Sequence, residues 1–265
     1  MLKFGLIIIG DEILSGKRTD KHMSKVIEIL ASRGLELNYA NYVGDDPVRI
    51  TAVLKAAFES GDVVFSTGGI GATPDDHTRQ CAAKALGVDL ALHPRGAELI
   101  RERMMDVARE GGQPYEPERD DNKHRLNMAV FPTGAELIPN PYNKIAGFSV
   151  GRVHFVPGFP VMAWPMMEWV LDTHYSEYFN KTAYAEQSVI VQGSMEATLT
   201  PLMEQLEAQF AGIKVFSLPS VDHPNYGRHI ELGVKGVPEQ VAKAYPAMLE
   251  GLKTLGSTLL DELKR

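Results

Sequence analysis

The chain has 265 residues, of which 44% are hydrophobic and 23% are charged, a composition that is ordinary for a globular protein with one large domain and a small one. Its formal net charge of −7 disfavours a nucleic-acid surface. No apolar run approaches the roughly 20 residues that span a bilayer. The first residues lack the flanks of a secretory signal, and the single Cys81 cannot form an internal disulfide, so we expect a cytoplasmic protein without a membrane partner.

The first part of the chain alternates short apolar runs with amphipathic segments, which is typical of a parallel sheet with helices on both faces. The predicted strands are Phe4–Ile9, Leu35–Val43, Val63–Thr67, Met128–Phe131 and Val150–Val156. The predicted helices are His22–Arg33, Val48–Glu59, His77–Leu86, Pro94–Glu110 and Ala163–Tyr178. We therefore predict an α/β domain with a mainly parallel sheet over residues 1–178.

The order of elements changes in the last third of the chain. It predicts strands at Gln187–Gln192, Ile213–Leu218 and His229–Val234, with helices at Glu196–Phe210 and Val237–Leu255. This β-α-β-β-α order favours a small α+β domain, ferredoxin-like or close to it, over residues 179–265.

A glycine-rich segment, Thr-Gly-Gly-Ile-Gly-Ala-Thr-Pro-Asp-Asp-His-Thr from Thr67 to Thr78, joins a predicted strand to a predicted helix. Its glycines let the backbone approach a ligand that a Cβ would exclude, and the start of the helix favours an anion. A phosphate beside the carboxylates of Asp75 and Asp76 requires a cation between them. The segment therefore indicates a phosphorylated ligand held with a divalent metal. The alternative is a glycine-rich turn whose Asp residues cap the helix.

A second acidic turn, Gly10-Asp11-Glu12-Ile13-Leu14-Ser15-Gly16, follows the first predicted strand. Open α/β sheets bind ligands at the carboxyl edge of their strands, so we expect the two turns to meet there. Asp11, Asp75 and Asp76 would then supply oxygen ligands for Mg²⁺ or a similar ion. The alternative for Asp11 and Glu12 is capping of the next helix.

Together with Val156-Pro157-Gly158-Phe159-Pro160, these two motifs resemble the molybdopterin-binding domain superfamily, and within it the N-terminal region of CinA (competence/damage-inducible protein A). The resemblance is strongest from Leu6 to about Phe179. It implies binding or adenylylation of molybdopterin or, in CinA-like members, metal-dependent cleavage of the pyrophosphate in ADP-ribose. Related domains are associated with FAD hydrolysis.

The resemblance also implies a set of site residues. The candidate catalytic groups are Asp11, Asp46 and Asp76, which match acidic metal and phosphate-site positions. The candidate ligands of a divalent ion (Mg, Mn or Co) are Asp11, Asp75 and Asp76. The candidate phosphate-binding residues are Gly10, Gly68, Gly69, Gly71, Thr73 and Thr78.

Other titratable residues are interpreted from their positions alone. Arg125 is the candidate cationic clamp for a pyrophosphate, and its alternative is a salt bridge to Asp120 or Asp121. We predict that Arg79 lies at the surface and that His154 is a packed neutral histidine within a strand. Cys81 is interpreted as a small core residue.

The chain departs from the superfamily pattern in two places. His22 stands where the superfamily commonly has Asn, and residues 140–147, Asn-Pro-Tyr-Asn-Lys-Ile-Ala-Gly, lack the Gly, Thr and Pro of the corresponding segment Asn-Pro-x-Gly-Thr-Ala-Pro-Gly. The expected partner is a small-molecule nucleotide or pterin, and a homo-oligomer is compatible. Turnover, adenylylation of molybdopterin and simple binding all stay open. We expect no deamidase activity, which belongs to a further C-terminal domain of CinA.

Overall fold

A computed structural model describes residues 2–180 and 185–264 and divides the chain into two compact units, Met1–Phe179 and Asn180–Arg265. Each unit has its own hydrophobic core. Within the described ranges, no helix combines the length and the apolar character that crossing a membrane requires.

The first unit alternates strands and helices along most of its length. Its strands are β1 (Phe4–Ile9), β2 (Leu37–Val43), β3 (Val63–Thr67), β4 (Leu90–Leu92), β5 (Val130–Pro132), β6 (Glu136–Ile138), β7 (Gly147–Val150) and β8 (Val153–Val156). Its helices are α1 (Asp11–Leu14), α2 (His22–Ala31), α3 (Pro47–Ser60), α4 (Thr78–Leu86), α5 (Pro94–Glu110), α6 (Asp120–Arg125) and α7 (Pro160–His174). Short 3₁₀ helices lie at Leu126–Ala129 and Ser176–Tyr178.

Six of these strands form one mixed sheet in the order β2-β1-β3-β8-β7-β6. β1 runs parallel to β2 and β3, and β3 runs parallel to β8. Only β7 is reversed in this sheet, because it pairs antiparallel with both β6 and β8. The prediction of a mainly parallel sheet flanked by helices is confirmed, and five strands end at the same edge.

The buried strands contribute side chains to two hydrophobic cores, one on each face of the sheet. In β1, Leu6 and Ile8 pack with Val26 and Leu30 of α2 on one face. On the other face Ile7 and Ile9 pack with residues of α3 and α4, among them Ile50, Leu54, Cys81 and Ala82. A continuous apolar run is what a strand covered on both faces requires. Cys81 is buried, as predicted.

Two predicted strands are wrong in detail. The run Val150–Val156 is not one strand, because Gly151 adopts φ +57° and turns the chain between the antiparallel strands β7 and β8. The segment Met128–Phe131 is part 3₁₀ helix and part β5, and β5 pairs with β4 in a separate two-stranded sheet. The sequence analysis missed β4 and β6, which have three residues each.

In its described residues, 180 and 185–264, the second unit contains one four-stranded antiparallel sheet and two helices. Its elements are β9 (Ala185–Gln192), α8 (Glu196–Gln209), β10 (Ile213–His223), β11 (Gly227–Gly236), α9 (Pro238–Thr254) and β12 (Thr258–Lys264). The sheet order is β10-β11-β9-β12, and all three strand pairs are antiparallel. A small C-terminal α+β domain is therefore confirmed. It has one strand, β12, that the sequence analysis did not predict.

His154 lies inside the sheet of the first unit, where it is 2% exposed. Its Nδ1 is 2.8 Å from the Ser149 hydroxyl, and its Nε2 is 2.8 Å from the Tyr175 hydroxyl. Burial, with a smaller effect from His174, lowers the pKa of His154 from 6.5 to about 3. The ring is therefore neutral at physiological pH, which agrees with the interpretation of a packed neutral histidine.

This buried ring predicts a pH-dependent stability. The unfolded chain takes up a proton on His154 below its ordinary pKa, whereas the folded protein does not until about pH 3, so stability falls as the pH drops through this window. Between pH 8 and pH 5 this single group should lower the free energy of unfolding by about 2 kcal/mol. Urea unfolding of the wild type and of His154→Gln at both pH values measures it. Equal pH dependence in the two proteins would show that His154 does not contribute.

Candidate functional site

The carboxyl ends of the parallel strands surround a cavity of about 390 Å³. β1 leads to Gly10 and Glu12, and β2 leads to Asp45. β3 leads into the glycine-rich loop, whose residues from Gly68 to Asp76 supply one wall. The loops after β8 and β6 complete the cavity with Gly158 and Asn140 among others. The cavity thus lies where the topology of an open α/β sheet favours a ligand.

Hydrogen bonds fix the first two glycines of the glycine-rich loop, while several backbone N–H groups of the loop have no protein acceptor in the described part of the chain. Gly68 has φ +94° and donates its N–H to the carbonyl of Val156, and Gly69 has φ +66°. The buried Thr78 donates its hydroxyl to the Gly68 carbonyl and its N–H to the Gly69 carbonyl, each at 3.0 Å. Within residues 2–180 and 185–264, the N–H groups from Gly69 to Ala72 donate to no protein acceptor. Free amides on a cavity wall are suited to phosphate oxygens.

Asp75 and Asp76 lie in the turn before α4 and do not cap that helix. The N-cap position is His77, and it makes no side-chain cap hydrogen bond. Instead, Oδ2 of Asp76 accepts hydrogen bonds from the N–H of Thr73 at 2.9 Å and from its hydroxyl at 2.6 Å. Hydrogen bonding to Thr73 is also the largest cause that lowers the pKa of the exposed Asp75. The alternative that these residues are helix caps is therefore wrong.

Asp11 and Asp45 form a reciprocal pair at the other side of the cavity. The N–H of Asp11 donates to Oδ2 of Asp45 at 2.9 Å, and the N–H of Asp45 donates to Oδ1 of Asp11 at 3.1 Å. Burial raises the pKa of Asp45. The charges of Asp11, Glu12 and Asp75 raise it further, against the opposing hydrogen bond from the Asp11 backbone. The carboxylate of Asp45 is thus near enough to Asp11, Glu12 and Asp75 to be repelled by their charges.

That repulsion predicts the effect of removing one charge. Asp45→Asn keeps an oxygen that can accept from the Asp11 N–H but removes the ionised group whose pKa is raised in the folded state. Because the folded state holds that proton more tightly than the unfolded state, ionised Asp45 costs stability above its raised pKa. We expect the variant to unfold at a higher temperature than wild type at pH 7 and at an equal temperature near pH 3. A lower melting temperature at pH 7 would contradict this prediction.

Several predicted site residues lie elsewhere. Asp46 is not on the cavity wall, because its carboxylate caps α3 by accepting from the N–H groups of Val48 and Arg49. The structure therefore gives Asp46 a structural role as a helix cap, and its neighbour Asp45 lies at the cavity. Arg125 donates to Asn122 and pairs with Asp121, so the salt-bridge alternative is the correct one.

Two further placements differ from the expected roles. Asp11 is engaged with Asp45 and does not line the cavity, whereas its neighbour Glu12 does. Thr78 stabilises the glycine-rich loop from below and is fully buried. The structure brings together Gly10, Gly68, Gly69, Gly71, Thr73, Asp75 and Asp76 around one cavity. The chemical roles of these residues stay predictions.

Two arginines differ from the prediction made from the sequence: Arg79 was predicted at the wrong place, and Arg18 was not predicted as a cavity residue. Arg79 is 4% exposed rather than at the surface, and it donates to the carbonyls of Gly71 and Asn127. It therefore ties the glycine-rich loop to the segment before β5. Arg18 lines the cavity. Its position just after the acidic turn Gly10–Gly16 is the signal that could have indicated it.

A divalent ion fits this cavity only with the help of its ligand. Within the two described ranges, no three His, Cys, Asp or Glu residues are arranged as a metal site. Glu12, Asp45, Asp75 and Asp76 nevertheless offer the hard oxygen atoms that Mg²⁺ prefers. In proteins Mg²⁺ is often bound by one or two carboxylates, with substrate phosphates and water completing the shell. The donor set is compatible with such an ion and does not form a closed protein cage.

The loop after β6 keeps a defined shape although it lacks the superfamily's Gly, Thr and Pro. Asn140 donates to Asn143 and to the carbonyl of Ile145, and it accepts from the N–H of Tyr142. Lys144 adopts φ +66° and pairs with Asp106. Asn side chains thus replace the missing turn residues, and Asn143 and Ile145 line the cavity.

The chain is similar to known proteins over nearly its whole length. Protein TV0584 of Thermoplasma volcanium is 28% identical over 262 residues, which are 97% of this chain and 96% of that protein. A CinA-like protein of Anaeromyxobacter dehalogenans is 35% identical over 171 residues, which are 63% of this chain but only 40% of the relative. The chain therefore spans less than half the length of that CinA-like relative.

Among solved structures, the crystal structure of the protein CinA with unknown function from Thermoplasma acidophilum matches with a TM-score of 0.54 and 26% identity. The match covers 64% of this chain and 97% of that one. A family model described as a probable molybdopterin binding domain matches residues 5–176, a range that holds the sheet and every loop around the cavity. Since this match covers well over half of the sequence, the chain belongs to the family of probable molybdopterin binding domains.

Proposed function

We propose that the first unit binds a nucleotide pyrophosphate, of the ADP-ribose or FAD type, and hydrolyses its phosphoanhydride with a divalent metal ion. The observation that carries the proposal is one cavity whose lining has two properties. The free N–H groups from Gly69 to Ala72 are suited to phosphate oxygens, and Glu12, Asp45, Asp75 and Asp76 line the same cavity. A phosphate enters such a surface only if a cation compensates the negative charges.

In the proposed reaction, the loop amides hold one phosphate and Arg18 offsets part of the charge on the other. A divalent ion, when bound, would neutralise the phosphoryl oxygens and lower the pKa of a water molecule. A carboxylate of the cavity orients the attacking water. The oxygen of this water bonds to phosphorus while the bridging P–O bond breaks, which gives a nucleoside monophosphate and a second phosphorylated product. Because phosphoryl transfer depends mainly on positioning and charge stabilisation, the set of residues matters more than a single base.

The test is a panel of nucleotide pyrophosphates incubated with the purified protein, with Mg²⁺, Mn²⁺, Co²⁺ or EDTA. We expect release of nucleoside monophosphate from at least one substrate with a divalent ion and none with EDTA. Release that is unaffected by EDTA would contradict the role of the metal. Tight binding without release under any condition would contradict hydrolysis.

The second candidate is a binding module that holds a pterin or nucleotide without turnover. The family description favours a pterin, and the altered loop from Asn143 to Gly147 lies on the cavity wall. Restoring the superfamily's Gly, Thr and Pro in this loop is the matching experiment. Turnover gained only after this change would support the binding module for the natural sequence. An adenylyltransferase acting on molybdopterin is a third candidate, which the panel tests when ATP and molybdopterin are supplied together.

A further inference from the structure

A second cavity, of about 360 Å³, lies beside the first and shares part of its wall. The shared residues are Ile9, Glu12, Arg18, Gly158 and Phe159. The first cavity has apolar side chains such as Met128 and Met162 beside the glycine-rich loop. Two cavities of nearly equal volume that meet at a common wall suit a ligand with two halves.

His22, at the start of α2, is a buried polar residue on the wall of the second cavity. It is 4% exposed, and its Nε2 is 3.0 Å from the carbonyl oxygen of Gly158. Because a carbonyl can only accept, Nε2 carries a proton, and in that tautomer of the imidazole Nδ1 is an acceptor. In the described part of the chain this buried Nδ1 has no hydrogen-bond partner. A buried polar atom without a partner is uncommon in a native structure, and a hydroxyl group of a ligand would satisfy it.

The charge of the second cavity is opposite to that of the first. Arg18 and Lys21 line it, and in residues 2–180 and 185–264 neither side chain forms an ion pair. Of the described residues on its wall, Glu12 is the only acidic one. Two unpaired cations around a cavity favour an anionic ligand group.

We propose that the second cavity is a subsite for a sugar phosphate, the half of the ligand that leaves when the phosphoanhydride is cleaved. Arg18 and Lys21 neutralise the phosphate, and Nδ1 of His22 accepts a hydrogen bond from a sugar hydroxyl. The nucleoside monophosphate half stays in the first cavity, beside the glycine-rich loop. This inference rests on the proposed function for the identity of the whole ligand, while the subsite itself is argued from His22 and the two cations.

The test uses calorimetry to measure how tightly the protein binds each half of the ligand on its own, with ribose 5-phosphate and AMP as the two probes. His22→Phe removes the acceptor but keeps a planar ring, and we expect it to weaken ribose 5-phosphate about tenfold, the loss of one hydrogen bond to a buried group. Lys21→Gln should weaken the same probe about threefold, as expected for an exposed charge. AMP affinity should stay within twofold of wild type in both variants. His22→Gln keeps a donor and an acceptor and should bind ribose 5-phosphate better than His22→Phe does.

Lys17→Gln is the matched control, because Lys17 is exposed in the same segment but lines neither cavity. It should change neither affinity, and circular dichroism checks the fold of every variant. Equal weakening of both probes, or unchanged ribose 5-phosphate affinity in both His22→Phe and Lys21→Gln, would overturn the subsite. Wild-type protein that binds no ribose 5-phosphate at millimolar concentration would overturn it as well. If the selective losses occur but ADP-ribose releases no AMP with any metal, the subsite stands and the proposed hydrolysis falls.

Discussion

Asp76→Asn is expected to abolish metal-dependent cleavage of a nucleotide pyrophosphate while it leaves the fold intact. The amide oxygen can still accept from the N–H of Thr73, so the glycine-rich loop should lose no more than about 1 kcal/mol of stability. The negative charge that would bind the ion is lost. We expect kcat/KM to fall by at least about 100-fold, the order of magnitude for removal of a group that stabilises transition-state charge. Release of nucleoside monophosphate measures this loss.

The matched control is Asp222→Asn, an exposed Asp in β10 of the second unit, which should leave the rate unchanged. Thr73→Val separates the two roles of Asp76, because it removes the hydroxyl that donates to the carboxylate but keeps the charge. It should lower the rate less than Asp76→Asn does. A rate within threefold of wild type in Asp76→Asn would contradict the proposed role of this carboxylate.

Gly68→Ala should be the most destabilising single-methyl change in the cavity loops. Gly68 has φ +94°, and a Cβ on it would lie 2.2 Å from the carbonyl oxygen of Ile9. The positive φ costs an L-residue roughly 1–2 kcal/mol, and the clash with backbone adds about 1–3 kcal/mol because neither β1 nor β3 can move freely. We expect a loss of about 2–5 kcal/mol in the free energy of unfolding, measured by urea denaturation.

Gly61→Ala is the control that measures the cost of backbone strain without a steric clash. Gly61 also has a positive φ, +71°, but a Cβ on it would meet nothing within 4 Å. Its cost should be about 1–2 kcal/mol, the strain without the clash. Equal costs for the two substitutions would show that the loop can relax away from Ile9. In that case the close contact between the two strand ends would not position the glycine-rich loop.

Local patterns in the sequence determined most of the elements. The continuous apolar runs of β1 and β3 were predicted with their observed bounds. A strand that is buried on both faces is apolar along its whole length, so its first and last residues are clear in the sequence. Helix α5 was likewise predicted with both ends, since Pro94 fits the first turn and Gly111 follows the last. The glycines and carboxylates at the strand ends also indicated correctly which loops form a cavity.

What the sequence could not determine is which neighbour each polar side chain contacts. Asp45 and Asp46 are adjacent in sequence, yet one faces the cavity and the other caps α3, a choice made by the direction in which the chain enters that helix. Arg79 was expected at the surface because it is charged, but tertiary structure supplies carbonyl acceptors from two distant segments, which compensate its burial.

The short strands show the same limit of prediction from the sequence. β4, β6 and β7 have three or four residues, too few for a periodic pattern, and they exist because the strands beside them supply their hydrogen bonds. The second cavity is also a product of tertiary structure, because it forms only when the turn after β1, the start of α2 and the loop after β8 come together around His22. The sequence by itself determined the mainly parallel sheet, most of its helices and the loops that line the cavity. Only the tertiary structure decided which side chains those loops bring together, because contacts between distant segments leave no local pattern.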